Sequence, residues 1–239
     1  MADLLKVKPA DGYPPERGCY LRGNDFSPVA VCVILKWRRE ETPKDIENLV
    51  RVAVESGAAI AGTLQTENIG LEKVICNIVA NPNIRYLVLC GPESPGHLTG
   101  ESVIKLIENG IDKEKKIIGS PSPTPYLYNV PEEFIDRFRK QLTLVNLLNQ
   151  GDPELIKMAV VSCYQEEPTK FREYQLYDLG AYPESPLDGK ITWRINEPYN
   201  EPKSEEERKA KEKARAMMEM IKKRLDARRK GASDQDEPE

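Results

Sequence analysis

Arg85-Tyr86-Leu87-Val88-Leu89-Cys90 is an apolar run that breaks into Gly91-Pro92-Glu93-Ser94-Pro95-Gly96-His97-Leu98-Thr99-Gly100 and then into a helical period from Ser102 to Glu108. The run has the length of a strand and no polar alternation, as expected for a strand buried on both faces. Asn109-Gly110 supplies the stop signal of the helix that follows. Strand, Gly/Pro loop and helix in that order form the repeating unit of an α/β protein, whose ligands sit beyond the carboxyl ends of the strands. His97, the one histidine of the chain, lies in that loop.

The same alternation continues on both sides. Residues 1–27 are turn-rich, and Val29-Ala30-Val31-Cys32-Val33-Ile34-Leu35 reads as a second buried strand. Thr42 followed by Pro43 predicts a helix start, with Thr42 as N-cap and Pro43 in the first turn. That helix carries Ile46, Leu49, Val50, Ala53 and Val54 on one face and stops at Gly57. Ala58 to Gly62 predicts a short strand, Ile69 to Val79 a helix closed by Pro82, and Lys116 to Gly119 a last short strand. Ser120-Pro121-Ser122-Pro123-Thr124-Pro125 reads as a rigid loop, Pro131 opens a long helix running through Leu148, and Asp152-Pro153 opens the next. The loops 62–68, 91–100 and 119–125 then converge on one rim of a mostly parallel sheet.

Beyond residue 173 the pattern changes. Residues 174–202 read as an extension with a turn at Leu187-Asp188-Gly189 and an alternating strand at Lys190–Ile195. Residues 203–230 read as a long charged helix with one narrow apolar stripe (Ala210, Ala214, Met217, Met218, Ile221, Leu225). It holds 12 Lys or Arg against 6 Asp or Glu, an excess suited to an anionic surface or a protein partner. Residues 231–239 form an acidic tail expected to be disordered.

Composition narrows the function classes. With 239 residues, 31% of them charged, and a net charge of -4, the chain reads as a soluble α/β protein without a nucleic-acid partner. No stretch approaches the ~18 consecutive apolar residues of a membrane span. Met1-Ala2-Asp3-Leu4-Leu5-Lys6 lacks the pattern of a signal peptide. The five cysteines are odd in number and show no CxxC spacing, which predicts reduced, packed thiols and a cytoplasmic location.

Gly91-x-x-x-x-Gly96 after a strand copies the first half of a phosphate-binding loop, but His97 and Leu98 stand where the lysine and hydroxyl belong. The helix N-terminus near Thr99 remains open to a phosphate group on this reading. No G-x-S-x-G motif supports a serine hydrolase, and Cys90, at the end of a buried strand, is a poor nucleophile for His97. Thr66-Glu67-Asn68 fits a helix cap. His97 is either a loop residue satisfied by the backbone or a metal ligand. In the second case one histidine cannot build a cage, so the remaining coordination comes with the ligand, as in a macrocycle.

Three collinear stretches decide between these: Thr66-Glu67-Asn68-Ile69-Gly70-Leu71-Glu72-Lys73-Val74, Asn81-Pro82-Asn83-Ile84-Arg85-Tyr86-Leu87, and Cys90-Gly91 leading to Gly96-His97-Leu98-Thr99-Gly100-x-Ser102. They resemble the corrinoid-carrying A subunit of tetrahydromethanopterin S-methyltransferase, over roughly residues 12 to 170. The resemblance implies a Rossmann-like three-layer α/β domain over 1–173 that binds cobalamin, with His97 as the lower axial ligand of cobalt. In that family the prosthetic group accepts a methyl group as Co(I) and passes it to a thiol, coenzyme M, in a sodium-pumping membrane complex of methanogens. Gly91, Gly96, Leu98, Thr99, Gly100, Thr66, Glu67, Asn68 and Ser120 are the residues expected to frame the cofactor. Glu67 and Glu93 are both candidates to hold the other ring nitrogen of His97.

Two departures shape the expectation. Membrane-complex members of that family end in a hydrophobic anchor helix where this chain has the charged segment 203–230, and Pro95 stands before Gly96 where a basic residue is usual. The expectation is a soluble relative: a corrinoid methyl carrier that works with a separate methyltransferase subunit. The alternative is a cobalamin-binding or cofactor-free scaffold that recruits a partner through the C-terminal helix.

Overall fold

Val29–Ile34 (β2) is buried along its whole length, and its side chains alternate between two apolar cores. Ala30, Cys32 and Ile34 face one core while Val29, Val31 and Val33 face the other, the period-two geometry of a strand covered on both sides. The computed structural model describes residues 5–35 and 42–187, together with Glu205 and Lys209. Contacts divide the chain into Met1–Trp193 and Arg194–Glu239, and the fold is that of the first unit. The expected strand at 190–195, the charged helix 203–230 and the tail 231–239 lie outside the described residues, apart from those two positions.

Around β2 the chain adds α1 (Lys44–Glu55), β3 (Ile60–Leu64), α2 (Ile69–Val79), β4 (Tyr86–Gly91), α3 (Thr99–Asn109), α4 (Glu132–Gln141), β5 (Thr143–Leu148) and α5 (Pro153–Cys163). Strands β3, β2, β4 and β5 are parallel in that spatial order, and β1 (Tyr20–Arg22) pairs antiparallel with the outer edge of β3. This is a Rossmann-like α/β sheet. One core lies beneath α2, α3 and α4, the other beneath α1 and α5. Each large aliphatic side chain fully buried there contributes roughly 1.5–3 kcal/mol relative to exposure. The chain leaves β2 for β3 on one side and reaches β4 on the other, so the sheet has its topological switch point beside β2, facing the loops after β3 and β4.

Four local expectations are corrected. The helix opened by Pro131 ends at Gln141, and residues 143–148 form β5, the parallel partner of β4. Phe134, Ile135, Phe138, Leu142 and Val145 sustain a helical spacing, yet the open edge of β4 takes the apolar run as a strand. The turn is fixed by Gln141, whose buried amide donates to the carbonyls of Asn81 and Ile84 at 2.9 Å each. Lys116–Gly119 forms only isolated bridges, Ile111 with Ile117 and Lys116 with Tyr126, because β5 holds the sheet position beside β4. Helix α1 begins after Pro43 with no side-chain cap, so Thr42 does not cap it. Helix α3 starts at Thr99 rather than Ser102. Strand β1, only three residues long, carries no periodic signal of its own in the turn-rich segment.

Past α5, the hairpin β6 (Thr169–Phe171) and β7 (Tyr174–Leu176) buries Phe171 and Leu176 in the α1/α5 core. The Tyr174 hydroxyl accepts from Asn146 N at 2.9 Å, and the Asn146 side chain accepts from Leu148 N at 3.0 Å. These bonds close the free edge of β5 against further strand pairing. Residues 178–187 then strap the amino ends of the strands. Tyr182 N donates to Pro82 O at 2.7 Å, and its ring lies 5.4 Å from the guanidinium of Arg85 and 5.5 Å from that of Arg137. No helix among the described residues is long and apolar enough to cross a membrane.

The thiols follow the layers. Cys32, Cys76, Cys90 and Cys163 are buried and Cys19 is exposed. Burial pushes the Cys32 thiol up to about 12 and also raises the pKa of Cys76, Cys90 and Cys163. A disulfide reagent such as dithionitrobenzoate should therefore titrate one thiol rapidly in the native protein and five after denaturation. A second fast thiol would show that the core is open.

Candidate functional site

The loop after β4 is shaped by backbone that few residues tolerate. Gly91 and Gly96 adopt φ of 83° and 85°, and Leu98 sits at φ 48°, ψ 48°, a left-handed conformation that costs a non-glycine residue about 1 kcal/mol or more. At Gly91 a Cβ would lie 2.8 Å from Ile34 O, so only glycine lets β4 pass β2 at this point. The strained turn at Leu98 places His97 at the carboxyl end of the sheet, immediately before α3.

Hydroxyl groups hold that turn from beneath. Ser122 Oγ donates to the carbonyl of His97, and Ser102 Oγ donates to the carbonyl of Leu98 at 3.0 Å. Ser102 also meets Ser120 Oγ at 2.9 Å, while Ser94 Oγ and Thr99 Oγ1 pair at 3.0 Å. Thr99 and Ser102 are fully buried and Ser94 nearly so. Ser120 and Thr99, expected at the site, thus act within this cluster and support the His97 turn.

Glu93 resolves the phosphate-loop resemblance. Its carboxylate accepts from Ser94 N at 2.7 Å, Gly100 N at 3.0 Å and Glu101 N at 2.8 Å. The N-terminus of α3 therefore holds an anion of the protein's own. This overturns the reading of the bare helix start near Thr99 as a phosphate site. It also explains Gly100, whose Cβ would lie 2.5 Å from Leu148 Cδ1 and 2.8 Å from Glu93 Oε2.

Of the two carboxylates within reach of His97 on paper, the structure selects Glu67. Glu67 Oε2 lies 3.0 Å from His97 Nδ1, and Glu67 Oε1 accepts from Thr124 Oγ1 at 2.9 Å and Thr124 N at 3.3 Å. The Glu67 side chain is fully buried, while 41% of the His97 side chain is exposed. Burial pushes the Glu67 pKa up. Hydrogen bonds from its own backbone, Thr124 and His97 outweigh it and hold the carboxyl below the usual glutamate range. Thr66 and Asn68 have the capping role expected of them. Asn68 Oδ1 accepts from Ile69 N at 2.8 Å and Thr66 Oγ1 from Gly70 N at 3.0 Å, both at the start of α2.

The three loops expected to converge do meet: Glu67 follows β3, His97 follows β4, and Thr124 belongs to the excursion between α3 and α4. Thr124 and Ser122 are site residues that sequence reasoning misses. Their only signal is their place in the Ser/Thr/Pro run 120–125. An apolar cavity of about 230 Å³ opens beside the site between β1, β2, β3 and α2, lined by Cys19, Tyr20, Ile60, Thr66, Val74 and Asn77 among others. Among the described residues no three His, Cys, Asp or Glu side chains are grouped to hold a metal ion by themselves.

Comparison with known proteins agrees with this architecture. The profile of the family described as the A subunit of tetrahydromethanopterin S-methyltransferase matches residues 6–177. In Methanothermobacter thermautotrophicus, the A subunit numbered 1 of that methyltransferase is 44% identical over 169 residues, 70% of this chain and 66% of the relative. The A subunit from Methanosphaera stadtmanae is 42% identical over 190 residues, 79% of this chain and 71% of the relative. The A subunit numbered 2 from M. thermautotrophicus is 40% identical over 190 residues, covering 79% and 92%. The chain spans just under two thirds of the length of the first of these. With a profile match over most of its length and relatives at this identity, the chain belongs to the family of the tetrahydromethanopterin S-methyltransferase A subunit.

Proposed function

We propose that the chain is a corrinoid carrier. On this reading it shuttles a methyl group between a donor such as methyl-tetrahydromethanopterin and an acceptor such as a thiol, as the cobalamin-dependent component of a methyltransferase system. The observation that carries the reading is the Glu67–His97 pair. A buried carboxylate takes Nδ1 of a half-exposed imidazole and leaves Nε2 free, the arrangement by which proteins orient a metal-binding histidine and raise its basicity.

The residues present fit a macrocyclic metal group. A single imidazole supplies one ligand atom, and a corrinoid would bring the others with it. Bound there, the corrinoid supplies a cobalt able to accept and release a methyl group. The protein's part is positional. Nε2 of His97 would hold the cobalt. Glu67 fixes the plane of the ring, and Leu98, held by Ser102 and Ser122, fixes its height above the sheet. Gly91 lets the loop pass close to β2, Gly96 takes a left-handed turn, Gly100 leaves room for Leu148 and the Glu93 carboxylate, and Thr66, Asn68, Thr99 and Ser120 keep the surrounding rim in place. A separate methyltransferase subunit delivers the methyl group.

Reconstitution with hydroxocobalamin tests this. The wild type should bind one corrinoid per chain with the visible spectrum of a histidine-ligated cobalt, and His97→Ala should lose that spectrum. Absence of stoichiometric binding by the wild type would falsify the carrier reading and leave a scaffold acting through residues 203–230 as the better account. Binding should also stabilise the fold. At a corrinoid concentration a hundredfold above Kd the gain is about 2.7 kcal/mol, which raises Tm by roughly 5–10 °C for a domain of this size. In His97→Ala the shift should fall by at least half. An equal shift in both proteins would place the cofactor away from His97.

A further inference from the structure

The loop that carries His97 is fastened at both ends by one carboxylate. Glu93 Oε1 accepts from Ser94 N at 2.7 Å and from Gly100 N at 3.0 Å, and Oε2 accepts from Glu101 N at 2.8 Å. His97 lies in the span between those donors. Ser94 is the near anchor of that span: its carbonyl accepts from His97 N at 3.3 Å and Leu98 N at 2.9 Å, and its hydroxyl oxygen accepts from Thr99 N at 3.3 Å. Three converging N–H groups call for two proton-free oxygens, which a carboxylate has and a neutral amide lacks. The start of α3 favours the negative charge as well. Asn149, in the turn after β5, holds Glu93 in its turn. Its Oδ1 accepts from Glu93 N at 3.0 Å, while its own N–H donates to Gly91 O and Gly91 N donates to Gln150 O, both at 2.8 Å. Asn149 does this at φ 67°, in the left-handed region that asparagine tolerates better than most residues. The end of β5 thereby grips both the last residue of β4 and the loop beyond it.

We infer that Glu93 and Asn149 are positioning residues for His97. They form a clasp that runs from the turn after β5 through the Glu93 carboxylate to the start of α3, and it fixes where the loop sets the imidazole. The clasp acts on the backbone of the loop, whereas Glu67 acts on the ring. A left-handed Leu98 persists only while its surroundings over-determine it. The clasp supplies that constraint from the β5 side, so its loss lets the turn relax and carries His97 out of place. What the clasp requires is a negative charge on those N–H groups, not a particular link to the chain. A free carboxylate from solution can therefore stand in for Glu93. The use of the clasp in ligation rests on the corrinoid-carrier reading, whereas the position of the ring is a property of the cofactor-free protein.

The single histidine makes the test direct. Protein labelled with ¹³C-histidine and held near pH 8, above the ordinary imidazole pKa of about 6.5, should give one pair of ring C–H signals in two-dimensional NMR. In Glu93→Ala these signals should move toward their positions in the unfolded chain, and Tm should fall by roughly 2–8 °C, as for a lost helix cap in a domain of this size. Added acetate matches the atoms that Glu93→Ala removes, and should return both the signals and Tm toward the wild type. Glu93→Gln fills the same space without the charge, so it should show the displaced signals and no response to acetate. Asn149→Gly keeps the left-handed turn and loses the acceptor for Glu93 N. It should shift the signals in the same direction, again without rescue, while Asn149→Asp should retain the wild-type pattern. With hydroxocobalamin as the probe, Glu93→Ala should bind about tenfold more weakly, at the low end of the range for lost outer support of a metal ligand, and acetate should restore the affinity. Wild-type ring signals in Glu93→Ala would overturn the clasp. So would acetate that restores Tm but leaves His97 displaced, since Glu93 would then be a helix cap and nothing more. Ring signals as expected across the variants, with no corrinoid bound by the wild type, would sink the carrier reading and leave the clasp standing.

Discussion

A single buried negative charge organises the carboxyl end of this sheet. An ionised carboxylate taken out of water is tolerated only if hydrogen bonds replace its hydration, and Glu67 obtains them from two loops that have no sequence proximity to it. Thr124 lies 57 residues away and His97 30 residues away. Satisfying one charge therefore forces three loops together. The imidazole is held by the same bonds that stabilise the fold, so site geometry and loop closure cannot vary independently. Glu72, in the first turn of α2, repeats the device by accepting from the backbone and side-chain amides of Asn129 at 2.8 Å each. The excursion between α3 and α4 is pinned at two points by carboxylates of the α2 region.

The sheet was legible because its central strands are unusually plain. Val29–Ile34 and Tyr86–Gly91 are buried on both faces, so their sequences are apolar without interruption. Asp152-Pro153 and Asn109-Gly110 mark helix ends by side-chain oxygen, fixed φ and left-handed backbone, all local chemistry. What failed was decided by distant partners. Residues 142–148 carry a pattern compatible with helix and strand alike, and the unpaired edge of β4 chose between them. Thr42 has the side chain of a cap but not the backbone position, since Pro43 itself occupies it.

The site was legible to the same degree. His97 stands out by rarity and by its loop, and Glu67 was one of two carboxylates within reach on paper. Choosing Glu67 over Glu93 required knowing that three backbone N–H groups already occupy Glu93. Thr124 and Ser122 were hidden because one hydroxyl in a Ser/Thr/Pro run looks like another. Their roles arise from a chain path of more than twenty residues between α3 and α4, which no periodicity encodes.

Glu93 has a wider consequence. Sheets of this topology ordinarily offer the helix start after a central strand to phosphate groups, and nucleotides are among the most abundant small anions in any cell. Here a tethered carboxylate sits on those N–H groups at an effective concentration that no free metabolite matches. The crevice is closed to the common competitors of its architecture. On the corrinoid-carrier reading, the ligand is recognised through the imidazole and does not contend with the nucleotide pool for the start of α3.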